Sequence, residues 1–276
     1  MTYDDLIELP PPQFKRACGV SRQTFAAMVA ALRPNLERRG KRGGQNRLSV
    51  ENQLLLTLQY WREYRTQFHI GLAFGVSEAT VSRTIAKVEE LLAKSGQFRL
   101  PGKRELLTPD SNWDVVVVDV TEVAIERPQK KQRRYYSDKH KRHTLKGQLV
   151  IDLQSGAFIA VATGKGRTHD LKLWHQSEVK LAHEILCLAD KGYQGIAKGH
   201  LSSITPKRKP PRRALPKEDK ASNRALASLR IRVEHSIRKL KHFRIFSSRY
   251  RNRRRRFGLR LHLLAGILNF EQSLGS

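Results

Sequence analysis

Carboxylates at two strand ends stand out in a chain that is otherwise strongly basic. The 276 residues include 53 Lys and Arg against 25 Asp and Glu, a formal net charge of +28. Asp119 follows the apolar run 115–118, and Asp190 follows the apolar run 184–189. Each run predicts a buried strand, and catalytic groups gather beyond the carboxyl ends of such strands in open α/β sheets. Two carboxylates on one sheet edge, without His or Cys, suit a hard divalent cation such as Mg²⁺.

A third carboxylate, Glu234, lies in a long predicted helix and is the only acid between Asp219 and Glu271. At about 100° per residue, one stripe of this helix displays four polar side chains: Asn223, Arg230, Glu234 and Lys241. Such a stripe suits a metal ligand flanked by phosphate-binding groups, with Arg238 on the same helix. The alternative is a solvated helix in which Glu234 forms an ordinary i,i+4 ion pair.

The basic residues are concentrated in the second half of the chain. Between 206 and 260 there are 21 basic residues and three acidic ones, interleaved with apolar residues. We favour a phosphate-binding face over a merely solubilising surface, and nucleic acid is the expected partner. Cys18 and Cys187 are too few for a zinc ribbon or a disulfide framework and fit a reducing cytoplasm. No run is long and apolar enough to span a membrane, and the acidic N-terminus does not resemble a secretory signal.

Residues 1–95 are predicted to form an all-helical, DNA-binding domain. Helices are expected near 13–17, 22–32, 50–64, 67–74 and 78–94, with a loop at 37–47 and nothing regular before Pro10. Gly75-Val76-Ser77 joins a short helix to a longer one, as in a helix-turn-helix. The start of the second helix would offer Thr80, Ser82 and Arg83 to DNA. An ordinary helical hairpin is the alternative, and for a similar unit at 19–21 the two interpretations stay equal.

Residues 96–276 are predicted to form a second domain with a mixed sheet flanked by helices, in an α+β or α/β fold. Strands are expected at 113–120, 148–153, 157–163, 184–189 and 201–205. Helices are expected from 168 to 181, from 220 to 243 and from 257 to 270. The basic segments 206–217 and 249–260 would contact DNA beside the three carboxylates.

Several motifs in this order resemble one known family. VVVVDVTE at 115–122, LADKGYQG at 188–195 and the spacing of Arg230, Glu234 and Lys241 resemble a DDE transposase. The segment 134–146 and the Gly-x-x-His-Asp ending at Asp170 are similar to the insertion-sequence-five group of bacterial transposases and their Harbinger-like relatives. The resemblance implies an RNase H-like fold. It also implies that Asp119, Asp190 and Glu234 are catalytic and bind two Mg²⁺ ions, for which Mn²⁺ would substitute.

The resemblance further implies partners and DNA contacts. The partners are double-stranded DNA, as terminal inverted repeats and as target, and at least a second copy of the chain, in the bacterial cytoplasm. The expected DNA-binding residues are Arg230, Lys241, Arg238, Asn223, Arg83, Thr80, Ser82, Lys139, Lys141 and Arg142. The family's Tyr before the Arg is Ala227 here, so that DNA contact is not expected. His169 and Asp170 match a recurrent pair that is either part of the site or a helix cap.

Two other functions remain open from the sequence. A DNA-binding regulator, such as a domesticated transposase without catalysis, would share the charge and the helix-turn-helix but would have no use for three carboxylates facing a polyanion. Another RNase H-like nuclease would cut DNA but would not join a 3′-OH end to a target. Strand transfer therefore separates a transposase from both alternatives.

Overall fold

The computed structural model describes residues 2–37, 47–108 and 112–275, so most of the predicted 37–47 loop lies outside the described residues. The chain forms two compact units. The helical unit comprises Met1–Arg99, Leu240–Ser248 and Leu263–Ser276, and the sheet unit comprises Leu100–Lys239 and Arg249–His262. This division differs from the predicted domains 1–95 and 96–276, because two C-terminal segments pack with the N-terminal helices. In the helical unit, the rings of Phe98 and Phe270 pack edge to face, with their centroids 5.2 Å apart.

The regular elements follow the predicted order. The helices are α1 (Tyr3–Ile7), α2 (Pro11–Cys18), α3 (Arg22–Leu36), α4 (Val50–Arg62), α5 (Gln67–Phe74), α6 (Glu78–Lys94), α7 (Asp170–Ser177), α8 (Lys217–Lys241), α9 (Arg244–Ser247) and α10 (Phe257–Ser273). The strands are β1 (Val115–Ala124), β2 (Tyr136–Ser137), β3 (Arg142–Asp152), β4 (Phe158–Lys165), β5 (Leu186–Ala189) and β6 (Ser203–Ile204). The short elements β2 and α9 were not predicted.

The N-terminal prediction was wrong in one respect, because α1 precedes the three prolines. The Asp5 carboxylate accepts the Thr2 backbone N–H at 2.6 Å, which stabilises this short helix at its start. The prolines then begin α2 rather than a loop, with Pro10 as N-cap and Pro11 as the first helical residue. A proline is tolerated there because the first turn of a helix has no partner for its backbone N–H.

The sheet is mixed: β3 pairs with β1, β2 and β4, β1 also pairs with β5, and β5 pairs with β6. The long strand β3 is antiparallel to β1 and β4, whereas β1, β5 and β6 run parallel. Helices accompany this sheet, so the predicted α+β architecture is confirmed. Val118 lies opposite Ala189 in the last pair of the β1–β5 ladder. This register brings the residues that follow, Asp119 and Asp190, to the same edge.

Strands β1 and β3 extend beyond their predicted ends because polar residues pair across them. Glu122 of β1 lies opposite Lys146 of β3, and Thr121 lies opposite Gly147. Opposite charges facing each other stabilise a ladder that apolar periodicity does not reveal. The sequence therefore predicts a strand only from Gln148, whereas β3 already begins at Arg142.

Alternation along β1 separates an apolar face from the face that carries Asp119. Val116 and Val118 pack in a buried cluster with Trp174 of α7 and with Tyr193. Within the described ranges, no helix is both long enough and apolar enough to cross a membrane.

Candidate active site

Asp119 and Asp190 lie where the parallel pairing of β1 and β5 ends. The sequence predicts that the first strand ends at 120, but β1 continues to Ala124 against β3. Asp190 directly follows β5 and caps the short 3₁₀ turn Lys191–Tyr193, where its Oδ1 accepts the Gly192 backbone N–H at 2.8 Å. Both carboxylates are half-buried. The two predicted strand-end acids are thus neighbours across adjacent strands.

The electrostatics of Asp119 reflect this crowding. Burial raises the pKa of Asp119, the Arg230 guanidinium opposes that rise, and the Asp190 carboxylate adds to it. Like charges close together disfavour the ionised form of each. A cation between the carboxylates would relieve both the repulsion and the cost of burial.

Arg230 of α8 supplies a cation in this structure. Its Nη2 donates to Asp119 Oδ2 at 3.1 Å, while Asp119 Oδ1 accepts the Val120 backbone N–H at 2.8 Å. The Arg230 Nε is buried and has no hydrogen-bond partner among the described residues. A buried donor without an acceptor is costly, and a phosphate oxygen would satisfy it. Arg230 is therefore placed to bind a phosphate beside the two aspartates.

Glu234 is not brought to the two aspartates. It lies one helical turn beyond Arg230 on α8, and its side chain is exposed. The described part of the chain contains no group of three His, Cys, Asp or Glu residues that could hold a metal ion. Residues four apart on a helix are about 6 Å apart along its axis, so α8 presents Arg230 rather than Glu234 to Asp119.

The two aspartates nevertheless fit a divalent cation. Their oxygens are hard donors of the type that Mg²⁺ binds, and no thiolate or imidazole is needed. Each carboxylate has one oxygen engaged by a backbone N–H, which fixes its orientation. The site could hold a cation that shares its remaining ligands with water or a substrate phosphate.

The other predicted DNA-binding residues of the second half lie on or near the surface. Asn223 is tied to the Lys207 backbone, accepting its N–H at 2.9 Å and donating to its carbonyl at 3.1 Å. Five others are exposed: Arg238, Lys241, Lys139, Lys141 and Arg142. The structure leaves these cations accessible but does not gather them around Asp119.

The turn between α5 and α6 has the predicted features of a helix-turn-helix. Gly75 is left-handed, with φ of 63°, and the Ser77 hydroxyl accepts the Thr80 backbone N–H at 3.2 Å. Ser82 and Arg83 are exposed and Thr80 is half-buried. The opposite stripe of α6, formed by Val81, Ile85 and Val88, is buried.

His169 and Asp170 separate in the structure. His169 is the N-cap of α7 without a side-chain capping bond, and it is exposed. Asp170 turns inward and pairs with Lys146 at 2.7 Å. Lys146 was missed as a site residue because it lies in a basic stretch. Its place on the same side of β3 as Gln148 and Val150, both buried, is the signal that it points inward.

Comparisons with known proteins show which family the chain belongs to. Residues 118–269 match the model of the DDE superfamily endonuclease, and residues 46–98 match the helix-turn-helix of that superfamily. A protein of Microchaete diplosiphon, named as a transposase for insertion sequence element IS702, is 50% identical over 274 residues, 99% of each chain. The chain therefore belongs to the DDE superfamily of endonucleases, and it carries the helix-turn-helix of that family at 46–98.

More distant relatives point the same way. A Streptomyces albus G protein, named as a transposase for insertion sequence element IS112, is 28% identical over 82% of both chains. The human protein named as nuclease HARBI1 is 28% identical over 60% of this chain and 50% of its own length. No solved structure matches the chain.

Proposed function

We propose that this protein is an insertion-sequence transposase that binds terminal inverted repeats, cleaves DNA at the element ends and joins the 3′-OH ends to target DNA. The observation that carries this proposal is the pair Asp119 and Asp190 at one sheet edge, with Arg230 on the first of them. Membership of a DDE endonuclease family and the helix-turn-helix support it. The relatives named as transposases for insertion sequences support it further.

Asp119 and Asp190 would hold the divalent cations, with Glu234 as a further ligand. When bound, two such ions activate an oxygen nucleophile and stabilise the leaving oxygen of a phosphodiester. We propose Mg²⁺ as the ion, with Mn²⁺ as a substitute. Because Glu234 lies one helical turn beyond Arg230, the residue that contacts Asp119, α8 would have to move for Glu234 to join the site.

Arg230 would change partners in the reaction. It neutralises Asp119 in this structure, and its unpaired Nε is free to take a phosphate oxygen. Once cations compensate the aspartates, the guanidinium would hold the scissile phosphate instead, as a charge-assisted contact. This exchange would keep the buried carboxylate compensated both with and without DNA.

DNA would be held by two kinds of contact. Thr80, Ser82 and Arg83 at the start of α6 would read base edges in the major groove. Phosphates would be contacted by residues of the second half: Asn223, Arg238, Lys241, Lys139, Lys141 and Arg142. Two ends must be paired for transposition, so we propose a homodimer or larger assembly on DNA in the bacterial cytoplasm.

The test uses a DNA fragment carrying the element end, with Mg²⁺ and a target plasmid. Asp119→Asn, Asp190→Asn and Glu234→Gln should bind the fragment like the unmodified protein. Each should lower cleavage by more than about 100-fold, because losing a residue that merely orients a metal ligand already costs up to about 100-fold. Asp138→Asn changes an exposed acid of the same unit and should leave both activities unchanged.

Three results would contradict the proposal. Full cleavage by an Asp119 or Asp190 variant would remove these residues from the site. Cleavage by the unmodified protein without joined 3′-OH ends would identify a nuclease rather than a transposase. Binding without any cleavage would favour a DNA-binding regulator.

A further inference from the structure

Beside the two aspartates, a nearly buried lysine is surrounded by oxygens. The Lys146 Nζ donates to Asp170 Oδ1 and to the Thr168 carbonyl, each at 2.7 Å, and lies 3.7 Å from Glu122 Oε1. The Lys146 side chain is only 9% exposed. Two of its three N–H donors are thus hydrogen-bonded, and the Glu122 carboxylate adds an ion pair, as a buried ammonium requires.

The two acids around Lys146 are occupied by structural contacts. Glu122 also accepts the Thr144 hydroxyl at 2.7 Å, and its side chain is 8% exposed. Asp170 uses one oxygen for Lys146. These carboxylates are therefore compensated within the protein by Lys146, whereas Asp119 is paired with Arg230 of α8.

The second oxygen of Asp170 lies against the turn that carries Asp190. A Cβ added at Gly192 would collide with Asp170 Oδ2 and would lie 3.0 Å from Asp190 Oδ1. The Gly192 backbone N–H in turn donates to Asp190 Oδ1 at 2.8 Å. A continuous series of contacts therefore runs from Lys146 through Asp170 and Gly192 to Asp190.

Other side-chain contacts also hold this turn. The next residue, Tyr193, is buried, and its hydroxyl donates to Gln148 Oε1 at 3.3 Å. The strand before the turn, β5, has only four residues. The position of Asp190 thus depends on side-chain contacts rather than on a long ladder.

We propose that Lys146 and Asp170 are positioning residues that hold the Asp190 turn in the geometry the site needs. This assigns a role to the Asp of the His169–Asp170 pair, and for catalysis it depends on the function proposed above. Lys146 holds the Asp170 carboxylate, and that carboxylate supports Gly192, whose N–H orients Asp190. Glycine is required at 192 because a side chain would displace the carboxylate.

The first experiment measures the turn itself, by hydrogen–deuterium exchange of the peptide covering 190–194. Lys146→Met and Asp170→Asn should exchange there at least about tenfold faster than the unmodified protein, because the local opening free energy falls. Lys146→Arg keeps the charge and should restore most of the protection. Lys172→Met, an exposed residue of α7, is the control and should change nothing.

Loss of a buried charge can unfold a protein. A second variant therefore tests the contact between Asp170 and Gly192 without removing a charge. Gly192→Ala changes neither Lys146 nor Asp170. Its new Cβ would collide with Asp170 Oδ2 and push the Asp170 carboxylate away from the turn. This variant should also increase exchange at 190–194. Folded variants of Lys146, Asp170 and Gly192 that all exchange like the unmodified protein would overturn the proposal.

The second experiment is cleavage at a series of Mg²⁺ concentrations. Asp170→Asn should raise the Mg²⁺ concentration for half-maximal cleavage by about tenfold, the loss typical of a residue that orients a metal ligand. Lys146→Met should raise it as well, and Lys146→Arg should raise it less. A purely structural role would lower thermal stability without moving the Mg²⁺ requirement, and that result would overturn the proposal. If the unmodified protein does not cleave DNA, the proposed function fails, whereas the exchange experiment still decides whether the turn is positioned by this pair.

Discussion

Two turns of the helical unit share the sequence Gly-Val-Ser but differ in what covers them. Both glycines are left-handed, with φ of 90° at Gly19 and 63° at Gly75. Ser21 and Ser77 each cap the next helix by accepting the N–H of the third residue at 3.2 Å. A search for local motifs therefore finds two equal candidates for a helix-turn-helix.

Their surroundings are different. The carboxylate of Glu271 on α10 accepts both the backbone N–H and the hydroxyl of Ser21 at 3.0 Å, and it also accepts the hydroxyl of the buried Thr24. This carboxylate places a negative charge at the start of α3, where it would repel a DNA phosphate. At α6, in contrast, Ser77 is exposed. We therefore expect only the second turn, which is open to solvent, to read DNA.

The largest expected effect is a change of the first glycine. In Gly19→Ala the new Cβ would lie 2.8 Å from the Phe243 ring and 3.0 Å from Arg62 Cδ, in a backbone conformation that alanine rarely adopts. We expect a loss of about 3 kcal/mol or more in the free energy of unfolding. Urea unfolding monitored by circular dichroism measures it, and a loss under 1 kcal/mol would show that the turn is not tightly packed.

A smaller loss of stability is expected when Glu271, the acid that contacts Ser21 in the first turn, is neutralised. Burial acts to raise the pKa of Glu271, but Lys15, Thr24 and Ser21 outweigh it, so the pKa lies below its ordinary value. A lowered pKa contributes stability that is present above the ordinary value and is lost as the pH falls through the lowered one. Glu271→Gln should therefore cost about 1–2 kcal/mol at pH 7 and little at pH 3. Urea unfolding at both pH values tests this, and an equal cost at both would refute the charge-based explanation.

A smaller effect is expected on DNA binding at the second turn. Arg83→Ala should weaken binding to the element end by about tenfold, the loss typical of one base or phosphate contact. Gln23→Ala, an exposed residue near the start of α3, is the matched control and should not change binding. Fluorescence anisotropy with a labelled end fragment measures both. Equal losses in the two variants would mean that both units bind DNA.

The smallest effect is expected for the second glycine. Among the described residues, a Cβ at Gly75 would meet nothing closer than the Arg47 side chain at 3.8 Å, and Asn accepts the left-handed conformation well. Gly75→Asn should therefore cost less than about 1 kcal/mol, whereas Gly19→Asn should cost as much as Gly19→Ala. Thermal unfolding of the two Asn variants gives the comparison, and similar losses would mean that packing around Gly19 does not distinguish the turns.

Much of the local structure could be predicted because it depends on neighbouring residues. α5 and α6 begin and end where their caps and periodicity predict. β5 follows from its apolar run, which placed Asp190 at a strand end. The polar halves of β1 and β3 were missed because their stability comes from pairing with each other. The short α1 was missed because a run of prolines suggests a break although it can also begin a helix.

The sequence by itself determined most of the helices and strands, and it singled out Asp119 and Asp190 among the few acids of a basic chain. Only the tertiary structure decided which charged side chain contacts which partner. Arg230 reaches Asp119 across 111 residues, Lys146 reaches Asp170 across 24, and Glu271 covers Ser21 across 250. Helix periodicity places Arg230 and Glu234 on one stripe, but the axial position of α8 selects between them. Such choices depend on packing between distant segments, which no local pattern of residues records.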